Sequence, residues 1–75
     1  MILYDADERT RVRVLSIQST WGARQHFRAM GIHVGDTILI LRRAPFGGPI
    51  AIEIRGIVVA IGRDLAHRVG VEPQK

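Results

Sequence analysis

The chain of 75 residues contains no cysteine. That excludes disulfides, thiolate zinc sites and cysteine nucleophiles. It also excludes a small secreted scaffold held by cross-links, so an intracellular setting is favoured. Aromatic residues make up only 5% of the chain, which leaves little material for a base-stacking platform. The longest apolar run, 57–61, is far shorter than the roughly 20 residues of a membrane-spanning helix, so no membrane insertion is expected. The opening Met1-Ile2-Leu3-Tyr4-Asp5 lacks the basic-then-apolar order of a signal peptide. Catalytic patterns are missing as well. Gly47-Gly48 is not followed by the Lys-Ser/Thr of a phosphate-binding loop, and neither a Ser-His-Asp pattern nor paired carboxylates occur. The sequence therefore predicts no enzyme and no cofactor. Lysine is nearly absent, since ten of the eleven basic residues are arginine, and the net charge is +4. Arginine suits planar anions such as carboxylate and phosphate. Such a surface fits an acidic protein, an acidic lipid face or nucleic acid, or is simply a solvated exterior.

What is present is a compact set of short elements. Hydrophobic residues are 47% and charged residues 24%, as in ordinary globular domains. The length allows one domain, 1–75, which buries roughly 60% of its unfolded surface. The alternation in Arg11-Val12-Arg13-Val14 predicts a half-buried strand, and the phase slip at Leu15 and Ile17 predicts a bulge near Val14-Leu15 that keeps all four apolar side chains inside. Ser19 or Thr20 supplies a helix N-cap. Ala23, Phe27 and Met30 recur at helical spacing, predicting a helix over 23–30 that ends at a left-handed Gly31. The run 37–41 is apolar on both faces, as expected for a strand with the core on one side and the helix on the other. Strands follow at 50–54, where Glu53 and Arg55 face solvent, and at 57–61, with a tight turn at Gly56. A helical turn at 63–67, opened by Asp64, precedes a closing strand at 68–71, and 72–75 is a polar tail. The fold class predicted is mainly β, an SH3-like barrel over about 11–71. It has about five strands, one short α-helix between the first two, and a short helical turn before the last. Closure of this kind hides strand edges. An OB-fold is the alternative, and the early helix argues against it.

The stretch Met30-Gly31-Ile32, Val34-Gly35, then Arg42-Arg43-Ala44-Pro45-Phe46-Gly47-Gly48-Pro49, resembles the FeoA family, small cytoplasmic partners of bacterial ferrous-iron transport. Family members carry Arg-Leu and then Leu-Gly-Ile/Leu at the helix end, Pro-Gly, a strand, a basic or polar pair, Ala-Pro, a glycine-rich tip and Pro. The following strand-Gly56-strand, Arg63-Asp64-Leu65-Ala66 and Val69-Gly70-Val71 complete a resemblance over about 12–71. Three positions depart from the pattern. His26 stands in place of Arg, Val34 in place of Pro, and Asp7-Glu8 in place of an opening Pro-Gly. The same domain ends metal-responsive repressors of the diphtheria-toxin-repressor type behind a helix-turn-helix domain, and this chain reads as a free-standing member. The resemblance implies a cytoplasmic accessory protein that contacts the GTP-binding cytoplasmic region of the membrane transporter FeoB, with weak self-association also allowed.

Candidate contact residues follow from the pattern. Pro45 and Pro49 bracket a rigid tip whose Phe46, with Arg42 and Arg43, forms an anchor of the residue types enriched in binding hot spots. Phe27 and Met30 belong to the core or to a groove between helix and barrel that receives a partner segment. Trp21 is expected to staple the barrel end. Arg9, Arg11 and Arg13 alternate along one strand face. His26, His33 and His67 fall on different elements, so no metal site is expected despite the iron context. A basic barrel binding nucleic acid is the second functional reading.

Overall fold

The computed structural model describes residues 1–18 and 20–74. After a 3-10 turn at Leu3–Asp5 come strand β1 (Arg11–Ile17), helix α1 (Trp21–Met30), strands β2 (Thr37–Arg43), β3 (Ile50–Ile54) and β4 (Ile57–Ile61), the short helix α2 (Arg63–Ala66) and strand β5 (Val69–Pro73). All strand pairs are antiparallel, in the order β4-β3-β2-β1-β5, so the first strand lies between the second and the last. The expected five-stranded SH3-like fold is observed, but among the described residues no strand pairing joins β4 to β5, so the β4 edge is not hidden by closure; the helix lies between β1 and β2 rather than where an OB-fold carries it.

The inward rows explain why the sheet curls around one core. Val12 and Val14 of β1, Ile38 and Ile40 of β2, and Ile50, Ile52 and Ile54 of β3 are all buried. Each such aliphatic side chain contributes about 1.5–3 kcal/mol on burial. Phe27 and Ala23 close one end from α1, and Leu3 and Ala6 another from the N-terminal segment. The buried N-terminal turn has no counterpart in the sequence reading, because three residues are too few to show a period.

The register of β1 against β5 shifts between Val14 and Ser16, as the phase slip predicts. The bulge, however, leaves Leu15 exposed instead of gathering all four apolar side chains inside. Helix α1 begins at Trp21, two residues earlier than its apolar spacing indicates. The Thr20 hydroxyl accepts a hydrogen bond from the Ala23 amide at 3.3 Å, while Ser19, the other candidate cap, lies outside the described residues. Gly31, at φ +74°, ends the helix, with the Ile32 amide bonded to the Phe27 carbonyl at 3.0 Å. The outer face of β2 is not packed beneath α1. Leu39 and Leu41 are half-buried there, and Leu39 lines a hollow with Arg11, Glu53 and Arg55 rather than with helix residues. Glu53 is half-buried rather than free in solvent. At the other end of the chain, Glu72 and Pro73 extend β5 instead of forming a tail, and the Gln74 amide bonds the Arg11 carbonyl at 3.0 Å.

Candidate functional site

The β2–β3 connection, Ala44 to Pro49, is a closed loop. The Ala44 amide bonds the Pro49 carbonyl at 2.9 Å, and the Gly48 amide bonds the Pro45 carbonyl at 3.2 Å. Pro45 presets the backbone for the turn. Gly48 is required by space, because a β-carbon there would sit 2.8 Å from that of Ala44. Between them Phe46 adopts φ +59°, a left-handed conformation uncommon for a bulky residue. The phenyl ring is fully exposed, at 103% of its reference area. It does not fold back on the barrel mouth.

Tyr4 braces the loop from below. Its hydroxyl donates to the Gly48 carbonyl at 3.1 Å. Its ring stacks on His67, with centroids 4.8 Å apart, and the Arg43 guanidinium lies 5.4 Å from the ring centroid. Arg43 is half-buried. One of its terminal nitrogens donates to the Tyr4 and Ala6 carbonyls at 2.5 and 2.6 Å, and its own amide bonds the Glu8 carboxylate at 2.9 Å. The guanidinium fastens the N-terminal segment to β2. Of the three residues read as an anchor, Arg42 and Phe46 are exposed, while Arg43 is held within the fold. The stacking of Tyr4 on His67 is not legible in the sequence, because the two lie 63 positions apart and meet only through the fold.

On the side toward α2, Phe46 and Gly47 face Gly62, Arg63, Asp64 and Leu65 across an open cleft of about 390 Å³. A β-carbon on Gly47 would meet the Arg63 guanidinium at 2.8 Å, so that arginine lies directly against the tip.

The other candidates stand elsewhere. Phe27 is buried in the core, at 2% exposure, and Met30 is half-buried against it. A groove of about 310 Å³ does run beside α1, floored by Ile17, Phe27 and Ile32 and rimmed by Arg24 and Arg28. It shares no lining residue with the tip. Trp21 does not staple the barrel end; on the first turn of α1 it is 77% exposed. The strand stripe is divided, since Arg13 is ion-paired with Glu72. Arg55, expected to face open solvent, instead pairs with Asp36 at 2.8 Å and also donates to the Gly31 carbonyl, tying the β3–β4 turn to the end of α1. His33 lies 3.6 Å from the Asp36 carboxylate, and His67 Nδ1–H donates to the Arg63 carbonyl at 2.8 Å. Among the described residues no group of three or more His, Asp or Glu side chains converges as a metal site. No helix among them is long and apolar enough to cross a membrane.

Residues 1–73 match the FeoA domain. The chain belongs to the FeoA family. A putative Fe(2+) transport protein A from Methanocaldococcus jannaschii is 37% identical over 67 residues, which is 89% of this chain and 79% of that one. A crystal structure of an iron uptake regulatory protein, FeoA, superposes with a TM-score of 0.90 at 35% identity, covering 99% of this chain and 97% of the other. A FeoA-like protein from Clostridium acetobutylicum gives 0.87 at 30% identity, covering 97% and 85%. A manganese-dependent transcriptional repressor complexed with manganese shares the fold, with a TM-score of 0.92 at 22% identity and 36% of its chain covered.

Proposed function

We propose that this FeoA chain is a non-catalytic accessory protein of ferrous-iron uptake, acting on the cytoplasmic side by protein–protein contact with a FeoB-type transporter. The fully exposed Phe46 ring carries the reading. A left-handed backbone at such a residue costs on the order of 1–3 kcal/mol. A free phenyl ring at the end of a proline-bracketed loop is also the kind of residue that dominates binding energy when a partner pocket covers it. A rigid loop loses little conformational entropy on docking. Arg42 supplies a neighbouring positive charge for carboxylates of the partner. The names borne by the related proteins, Fe(2+) transport protein A and iron uptake regulatory protein, support the transport setting. Acting without chemistry of its own, the domain shifts a transporter equilibrium by contacting one state better than another.

The test is a titration of this protein against the intact transporter, with and without a GTP analogue. Saturable one-site binding is expected, with an affinity that depends on the nucleotide. Phe46→Asn keeps the left-handed turn, because asparagine tolerates that conformation, but removes the ring. It should weaken binding by about 10- to 100-fold, as loss of a hot-spot aromatic does. Unchanged affinity in the folded variant would move the contact away from the tip.

A further inference from the structure

We propose that two copies of this chain pair edge to edge through β4, antiparallel, forming one continuous ten-stranded sheet with its two-fold axis at Val59. Strand β4 ends the sheet and is bonded to β3 alone. The opposite end is covered, because the N-terminal segment pairs along β5, with the Val71 amide bonded to the Met1 carbonyl at 2.7 Å and Ile2 bridged to Gly70. Among the described residues no backbone bond from another element reaches β4.

The phase of the free edge follows from the hairpin. Arg55 and Gly56, at φ +51° and +81°, form a two-residue turn that closes on the Ile54–Ile57 pair. Ile57, Val59 and Ile61 therefore direct their amides and carbonyls at β3, and Val58 and Ala60 direct theirs outward. Edge strands are usually guarded by charge, proline or a bulge. Here all five residues are uncharged, none is proline, and the β3–β4 register runs without a shift. Ile57 and Val58 are 63% and 58% exposed, and Ala60 is exposed as well.

A second copy fits this edge in register and in its lack of charge. The two-fold register in which both outward residues exchange both of their bonds sets Val58 opposite the partner's Ala60 and Ala60 opposite the partner's Val58, giving four hydrogen bonds. Large then meets small on the outer face; on the inner one the exposed Ile57 lies opposite the partner's Ile61, whose side chain is already buried in its own core. A strand with no charge places no like charges opposite each other along its length. At the ends Arg55 comes near the partner's Arg63, but Arg55 is already paired with Asp36 at 2.8 Å, and Asp64 adjoins Arg63. An uncharged edge on a chain of net charge +4 also gives a charge-selected acidic partner nothing to read. A five-residue strand buries less than the roughly 1,200 Å² of a permanent interface, so the pairing is a reversible, concentration-dependent equilibrium. Two copies each carrying +4 repel, so added salt strengthens it. The β4 edges are used up by one pairing and the β5 edges are covered, so assembly closes at two. None of this involves Phe46, so the pairing and the transporter contact fail or stand separately.

The chain lacks cysteine, so single cysteines report the register cleanly. In the pairing, Val59 and the partner's Val59 form a non-hydrogen-bonded pair with α-carbons about 4.5 Å apart, inside the disulfide window. Oxidised Val59→Cys should run as a covalent dimer. Ile57→Cys should not, since in that register the two copies of position 57 lie roughly 13 Å apart along the strands. Sedimentation equilibrium of the unmodified chain should rise from monomer toward dimer between micromolar and millimolar concentration, and further with salt. Ala60→Pro removes an outward amide that the β3 ladder does not use, and Val58→Lys places a charge on the edge. Each should hold the mass at monomer, and Val58→Lys decides the matter if the proline variant misfolds. A monomer at millimolar concentration in high salt, equal cross-linking at 57 and 59, or a dimer that survives Val58→Lys would overturn the proposal.

Discussion

Arg42 and Arg43 are adjacent and chemically identical, yet one faces solvent and the other is built into the fold. The cause is the register shift between Ile40 and Arg42 against β3. Strict alternation from buried Ile38 and Ile40 would turn Arg42 inward. The bulge adds one residue, so Arg43, opposite buried Ile50, points in instead. Its terminal nitrogen then reaches the Tyr4 and Ala6 carbonyls, while its Nε is buried without a partner. Arg43→Met should lower stability by about 2 kcal/mol, the scale of hydrogen bonds to a charged group. Arg42→Ser should stay within about 0.5 kcal/mol, as exposed substitutions do. Urea denaturation of the two variants, compared at equal m-value, checks this directly. Equal midpoints would mean that the guanidinium bonds contribute no net stability. A variant changed at both arginines cannot serve as a pure surface probe.

At the level of elements, the strands were legible because alternation and glycine punctuation are local signals. Ile50, Ile52 and Ile54 are buried as their spacing demands, and Gly56 sits in the turn it marks. Three features were not legible, each because it depends on something distant or aperiodic. Trp21 and Gly22 join α1 through the Thr20 cap rather than through an apolar face. The outer face of β2 stays half-open because α1 packs Phe27 and Ala23 into the barrel end instead. The N-terminal 3-10 turn is fixed by Arg43 from across the molecule. Of the candidate site, the exposed aromatic could be read from the paired prolines, whereas its Tyr4–His67 support could not. Two glycines of α1 offer a contrast that tests the local account. Gly22 has open space where a β-carbon would go, and Gly22→Ala should stabilise by about 0.5–1 kcal/mol. Gly31 is left-handed, with the Arg55 guanidinium 3.1 Å from the β-carbon site, and Gly31→Ala should cost about 1–2 kcal/mol. Thermal midpoints moving the same way in both variants would contradict the capping geometry.

The whole molecule is organised around a first strand that needs both an early and a late partner. β1 pairs with β2 through Val12–Ile38 and with β5 through Val12–Pro73. A fragment ending at Gly62 retains four strands but loses Ala66, Val69 and Val71 from the core and the strand on which Met1 and Ile2 rest. It should show no cooperative unfolding transition. A sigmoidal denaturation curve from that fragment would mean that β1 to β4 form a stable unit alone. The pairing of β1 with β5 also bears on how the protein is made. About 60 residues separate the two strands, so at about 5–20 residues per second β5 leaves the ribosome roughly 3–12 s after β1. Until then the inner edge of β1 has no mate and the barrel stays open. The nascent chain must wait for β5 before the sheet can be completed, and during that interval its isoleucine-rich strands are open to the chaperones that meet growing polypeptides.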